Sequence, residues 1–112
     1  GGGAINGADK CIAIGKSALD GAVTQDGTIA IGHDTLTALT SGNENIAIGF
    51  QAGLAQTTGD GNTVIGYDAF KSADGAEGSN VVIGKTAGQS INHDSSDQNV
   101  IVGVGAMSGG TA

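Results

Sequence analysis

Arginine, proline and tryptophan are absent from this chain, and cysteine occurs once. Without proline there is neither a collagen-like nor a proline-rich extended segment. Without arginine, the bidentate contacts that read phosphates and guanines are missing. Only four lysines stand against 11 acidic side chains, for a formal charge of −7. That balance repels a nucleic-acid backbone and an anionic bilayer alike, so no nucleic-acid partner and no membrane insertion are expected. Acidity of this degree more often serves solubility than recognition. The single thiol, Cys11, excludes an internal disulfide and cannot build a zinc site alone. No apolar run is long enough for a transmembrane helix and no secretory leader is evident, so a segment without its own export address is expected. Large apolar residues are scarce as well: Ile, Val, Leu and Phe make up 24 of the 112 residues. That is near the level at which a chain fails to bury enough surface to fold. Order has to come from how those residues are arranged.

The arrangement is a repeat. The segments Cys11-Ile12-Ala13-Ile14-Gly15, Thr28-Ile29-Ala30-Ile31-Gly32 and Asn45-Ile46-Ala47-Ile48-Gly49 are followed by Asn62-Thr63-Val64-Ile65-Gly66, Asn80-Val81-Val82-Ile83-Gly84 and Asn99-Val100-Ile101-Val102-Gly103. Their closing glycines are 17, 17, 17, 18 and 19 residues apart, and the triplets before them hold 14 of the 18 Ile and Val residues. Three positions after each glycine stands a small residue: Ala18, Thr35, Ala52, Ala69, Ala87 or Ala106. A bulkier one often follows, as Leu19, Leu36, Phe70 and Met107, with Gly53 and Gly88 as exceptions. Between copies lie polar, glycine-rich stretches such as Gln56-Thr57-Thr58-Gly59-Asp60-Gly61, which is turn chemistry.

The triplets are too short for helices and rich in β-branched residues, so they read as strands. The expected fold is all-β: a β-solenoid of six rungs of 17–19 residues in a single repeat domain over 1–112. The rungs centre on 11–19, 28–36, 45–53, 62–70, 80–88 and 99–107, each with a second short strand expected around its small residue. At about 4.8 Å per rung, six rungs make a segment roughly 30 Å long.

Alternation along each strand sends the outer pair of a triplet to one face and its middle residue to the other. The expectation is that pairs such as Ile46 and Ile48 line the inside of the rung, against Ala52 or Ala69. The middle column, Ala13, Ala30, Ala47, Val64, Val82 and Ile101, then faces outward with nothing in the rung to cover it. An apolar stripe of that kind calls for a partner surface. It is read as an oligomer interface, most simply of a parallel homotrimer.

Four further columns are candidates for chemistry. Asn45, Asn62, Asn80 and Asn99 are expected to hydrogen-bond to one another and to the turns rather than to a ligand. Asp9, Asp26, Asn43, Asp60 and Asp97, interrupted by Gly78, sit two residues earlier. Their spacing does not fit the calcium-binding nonapeptide rolls, so turn chemistry is preferred and no metal is expected. The position after each glycine reads Lys16, His33, Phe50, Tyr67, Lys85 and Val104. There Phe50 is expected to stack on Tyr67, and these two are the receptor-contact candidates, against the simpler reading of cross-strand packing. The two histidines, His33 and His93, lie far apart in the repeat and are expected in exposed loops. No catalytic residue, cofactor or enzyme activity is expected: there is no phosphate loop and no nucleophile elbow. An aliphatic residue every six positions, as a hexapeptide acyltransferase requires, is also missing, and the threonines form no single rank of the kind an ice-binding face presents.

The unit Ile46-Ala47-Ile48-Gly49-Phe50-Gln51-Ala52 and its relatives resemble the head repeats of trimeric autotransporter adhesins, the YadA-like family. Similar units occur in bacteriophage tail fibres. The resemblance runs from Cys11 to about Met107. It implies a left-handed β-roll, packed as a homotrimer, that attaches to a glycan or protein on a host cell surface. The location it implies is extracellular, on a virion or on the bacterial outer surface. The rungs here are longer than the compact ones of that family, which favours the tail-fibre version over the bacterial adhesin head. A solenoid enzyme, an acyltransferase or a polysaccharide lyase, is the remaining alternative.

Overall fold

The computed structural model describes residues 10–21, 26–92 and 96–109. It contains six three-residue strands: β1 (Ile12–Ile14), β2 (Ile29–Ile31), β3 (Ile46–Ile48), β4 (Thr63–Ile65), β5 (Val81–Ile83) and β6 (Val100–Val102). They form one parallel sheet in chain order. The register is the repeat itself: Ile29 lies against Ile46, Ala47 against Val64 and Ile83 against Val102. Each strand therefore returns beside its predecessor after one circuit, and the chain makes about five turns of a β-solenoid with no helix among the described residues. Its principal extents are 35 × 24 × 16 Å.

The glycines explain why every strand stops where it does. Gly15, Gly32, Gly49, Gly66, Gly84 and Gly103 all have φ between +124° and +139°, which side-chain-bearing residues avoid. Space forbids a side chain too. A Cβ on Gly66 would lie 2.5 Å from the carbonyl oxygen of Gly84, and one on Gly49 would lie 2.8 Å from the carbonyl of Gly66. The column is a stack of backbone on backbone.

Two residues on, the chain turns left-handed: Ser17, Asp34, Gln51, Asp68 and Thr86 have φ of 54–60°. Leu19, Leu36, Phe70 and Met107 do the same at 50–53°, as do Lys10, Glu44, Ser79 and Gln98 at 58–59°. Each such residue costs about 1–2 kcal/mol in isolation. Rung-to-rung hydrogen bonds hold them in place: Asp34 N–H donates to Lys16 O, Gln51 N–H to His33 O and Asp68 N–H to Phe50 O, each at 2.9 Å. The second strand expected around the small residue is therefore not formed. Ala52 N–H donates back to Gly49 O and Ala69 N–H to Gly66 O, each at 3.2 Å, so this wall of the rung is a tight turn.

The core corrects the expected facing of the strands. Ala30, Ala47, Val64 and Val82 are fully buried within the chain, and Ile101 is 3% exposed. Together with Ala18, Ala52, Ala69 and Ala87, Leu19, Leu36, Leu39, Phe70 and Ile91 they form one cluster, with Ala13 packed against its end. The middle column is thus the chain's own interior and not an outward-facing subunit interface. The reason is width: the cavity of a rung this small holds one middle residue plus the Ala and Leu of the opposing turn, and a pair of Ile side chains does not fit. Neighbouring rungs interlock as well. Leu36 leans to within 2.9 Å of where a Gly53 Cβ would stand, and the Phe70 ring comes within 3.4 Å of the same point on Gly88. The two glycine exceptions in the bulky column are holes filled by the rung before.

Candidate interaction surfaces

With the middle column inside, the outer pair of each triplet points to solvent. Ile12 and Ile14, Ile29 and Ile31, Ile46 and Ile48, Thr63 and Ile65, Val81 and Ile83, and Val100 and Val102 form two parallel columns over six rungs. Thr63 is the one polar member. Neighbours shield the central ones to half-burial, while Ile12, Ile14, Val100 and Val102 are 47–76% exposed. Five spacings of about 4.8 Å make this flat face roughly 24 Å tall. A contiguous apolar sheet face is unusual on a monomer. The alternation was legible in the sequence; the choice of which face was covered was not.

Beside this face, one residue past the glycines, runs the column that contains Phe50 and Tyr67. Their rings stack at 5.1 Å between centroids with planes 12° apart. His33 extends the stack, 5.3 Å from Phe50 with planes 7° apart, a contact the sequence reading did not assign. Lys85 Nζ lies 5.9 Å from the centre of the Tyr67 ring. Because the rings lie parallel along the solenoid axis, their faces cover one another and their edges meet solvent. The next column inward carries Asp34, Gln51 and Asp68. There Asp34 Oδ2 lies 3.3 Å from His33 Nδ1 and accepts from Gln51 Nε2 at 3.5 Å, while Asp68 Oδ2 lies 3.5 Å from Lys71 Nζ.

The asparagine column is structural. Asn62 N–H donates to Asn45 Oδ1, Asn80 N–H to Asn62 Oδ1 and Asn99 N–H to Asn80 Oδ1, each at 2.9 Å. The Nδ2 groups of Asn45, Asn62 and Asn80 donate to the carbonyls of Gly59, Glu77 and Ser96 at 2.7–2.8 Å. Asn45, Asn62 and Asn80 are at most 1% exposed. The acidic column is used the same way. Asn43 Oδ1 accepts from Asp26 N–H, Asp60 Oδ1 from Asn43 N–H and Asp97 Oδ1 from Gly78 N–H, at 2.6–2.9 Å. Asp9 and His93 lie outside the described residues. Among the described residues, no three His, Cys, Asp or Glu side chains come together as a metal site would require. A polar interior that the repeat did not foretell lies in the third and fourth rungs, where Gln56 and Glu77 are fully buried. Gln56 Nε2 donates to the Glu77 carbonyl at 3.4 Å, and Glu77 Oε2 accepts from Gly75 N–H at 2.9 Å.

Comparison of the chain with protein-family models, with curated proteins and with solved structures returns no match.

Proposed function

We propose that this chain is a structural and adhesive fibre module that works as a parallel homotrimer, a segment of a phage tail fibre or virion attachment protein. The observation that carries the reading is the outward strand face, eleven of whose twelve residues are Ile or Val. A surface so regular and so apolar is best covered by an identical copy, because only a copy repeats at the same spacing along the axis. The interface is thus assigned to the outer pairs of each triplet, in place of the middle column. Extended β-solenoids with laddered side chains suit a mechanical role. The exposed columns beside the face repeat regularly enough to offer a surface to a host receptor, and binding rather than turnover is the activity assigned. The resemblance of the repeats supports the same reading and adds the left-handed coil; the 17–19-residue rungs favour the tail-fibre form over a bacterial adhesin head.

The test is the mass of the chain in solution, by light scattering or native mass spectrometry, before and after Ile48→Asp. The expected result is a trimer mass for the parent and a monomer mass, with an unchanged β-type circular dichroism spectrum, for the variant. A parent chain that stays monomeric at high micromolar concentration with its fold intact would overturn the reading.

A further inference from the structure

Two of the four lysines of this acidic chain, Lys16 and Lys85, and the one described histidine, His33, share a single column with Phe50 and Tyr67. All five are exposed. The acidic side chains Asp26, Asp60 and Asp97 lie in a different column, at the turn that precedes the strands, where Asp60 and Asp97 take hydrogen bonds from the backbone of the rung before. An anionic ligand is therefore repelled from that turn and tolerated along this strip. We propose that the strip Lys16, His33, Phe50, Tyr67 and Lys85 binds an extended acidic polysaccharide, one that carries carboxylates spaced along a polyhydroxylated chain. The proposal rests on the adhesive reading above and names the class of its partner.

Three features define that class. The first is length: Lys16 and Lys85 are four rungs apart, about 19 Å at ~4.8 Å per rung, which suits an extended chain rather than a single sugar. The second is ring orientation. A neutral sugar packs flat on an aromatic face, but these faces are occupied by one another, at 5.1 and 5.3 Å. What they offer outward is the edge, the positive part of the ring quadrupole, and edges attract carboxylate and hydroxyl oxygens. The third is the parallel column of Asp34, Gln51 and Asp68. The half-buried Asp34 carboxylate and Gln51 amide there would accept from sugar hydroxyls, while Asp34 and the buried Asp68 disfavour a ligand as densely charged as a nucleic acid. Sparse cations with interspersed acceptors match sparse anions with interspersed hydroxyls.

The experiment is a titration of the chain with uronic-acid oligosaccharides (oligogalacturonate, oligomannuronate and hyaluronan fragments), with neutral maltooligosaccharides and a single-stranded oligodeoxynucleotide as controls, followed by NMR. Expected are saturable shifts in the ring signals of His33, Phe50 and Tyr67 with at least one uronate series, and none with the neutral series. Replacing both lysines (Lys16→Gln with Lys85→Gln) is expected to weaken binding about five- to tenfold, as two solvent-exposed ion pairs would. Higher salt is expected to weaken it as well. No binding to any uronate overturns the proposal, as does equal binding of neutral sugars, tighter binding of the oligonucleotide, or insensitivity to the lysine replacements. The mass of the same samples keeps the two readings apart. A trimer that ignores uronates refutes only the ligand class, and a monomer that binds them refutes only the trimeric assembly.

Discussion

At the residue scale, the chain is governed by where side chains are forbidden and where left-handed backbone is imposed on residues that resist it. Gly49 is the sharpest case of the first. Gly49→Ala adds a Cβ 2.8 Å from the Gly66 carbonyl at a φ of +129°, a backbone region that side-chain-bearing residues rarely enter. The expected loss is at least about 2–3 kcal/mol, seen as a lower midpoint in chemical denaturation. Glu44 is the converse. It has φ +58° in a column where Gly27 and Gly61 take the same conformation, and its side chain is exposed. Glu44→Gly removes an αL cost of about 1–2 kcal/mol and adds about 0.5–1 kcal/mol of unfolded-state freedom. A net gain of roughly 0.5–1 kcal/mol is expected, and an unchanged or lower midpoint would contradict the strain assigned to that corner.

At the scale of the strand, the question is which face is inside, and two aspartate substitutions decide it. Val82→Asp places a carboxylate in a fully buried site with no charge partner in the core cluster, at a cost of several kcal/mol. The variant is expected to lose its fold. Ile48→Asp, on the opposite face of the neighbouring rungs, leaves the core untouched and is expected to lose only association. If Val82→Asp instead yields a folded monomer, the middle column is the interface after all. The strands, their parallel order and their register were legible because the Ile and Val residues fall in a fixed phase with one glycine. The asparagine ladder was legible for the same reason. The facing was not, since alternation marks two faces without saying which one the rung encloses. That depends on the corners, and the corners depend on left-handed turns at Leu36 and Phe70, residues with no such preference of their own. His33 was missed in the aromatic stack, although it shares the column of Phe50, because the two histidines were weighed by their distance from each other in the repeat and not by the ring one rung away.

At the scale of the whole molecule, a solenoid is nearly one-dimensional, and its stability is a sum of rungs and the contacts between neighbours. Removing one rung in phase should leave a shorter solenoid, provided that the new neighbours interlock. Deletion of residues 29–45 joins Thr28 to Ile46 and sets Leu19 against Gly53, as Leu36 is set now. Deletion of residues 46–62 joins Asn45 to Thr63 and sets Leu36 directly against Phe70, without the Gly53 hole that Leu36 now occupies. Both lose one strand pairing. Only the second also sets the Phe70 ring where Leu36 now meets a glycine, a bulkier step than the native one from Leu19 to Leu36, at a penalty of about 1–3 kcal/mol. The first deletion is therefore expected to unfold cooperatively at the higher temperature of the two, by thermal circular dichroism. Equal midpoints would mean that the bulky column is plastic, and that the alternation of Leu36, Gly53, Phe70 and Gly88 is not what keeps the rungs in register. An out-of-phase deletion of eight residues within the 46–62 rung breaks every column at that one point and is expected to lower the midpoint further than either in-phase deletion, because the rungs on its two sides can no longer pair through the glycine stack, the asparagine ladder and the core, which all rest on one shared period.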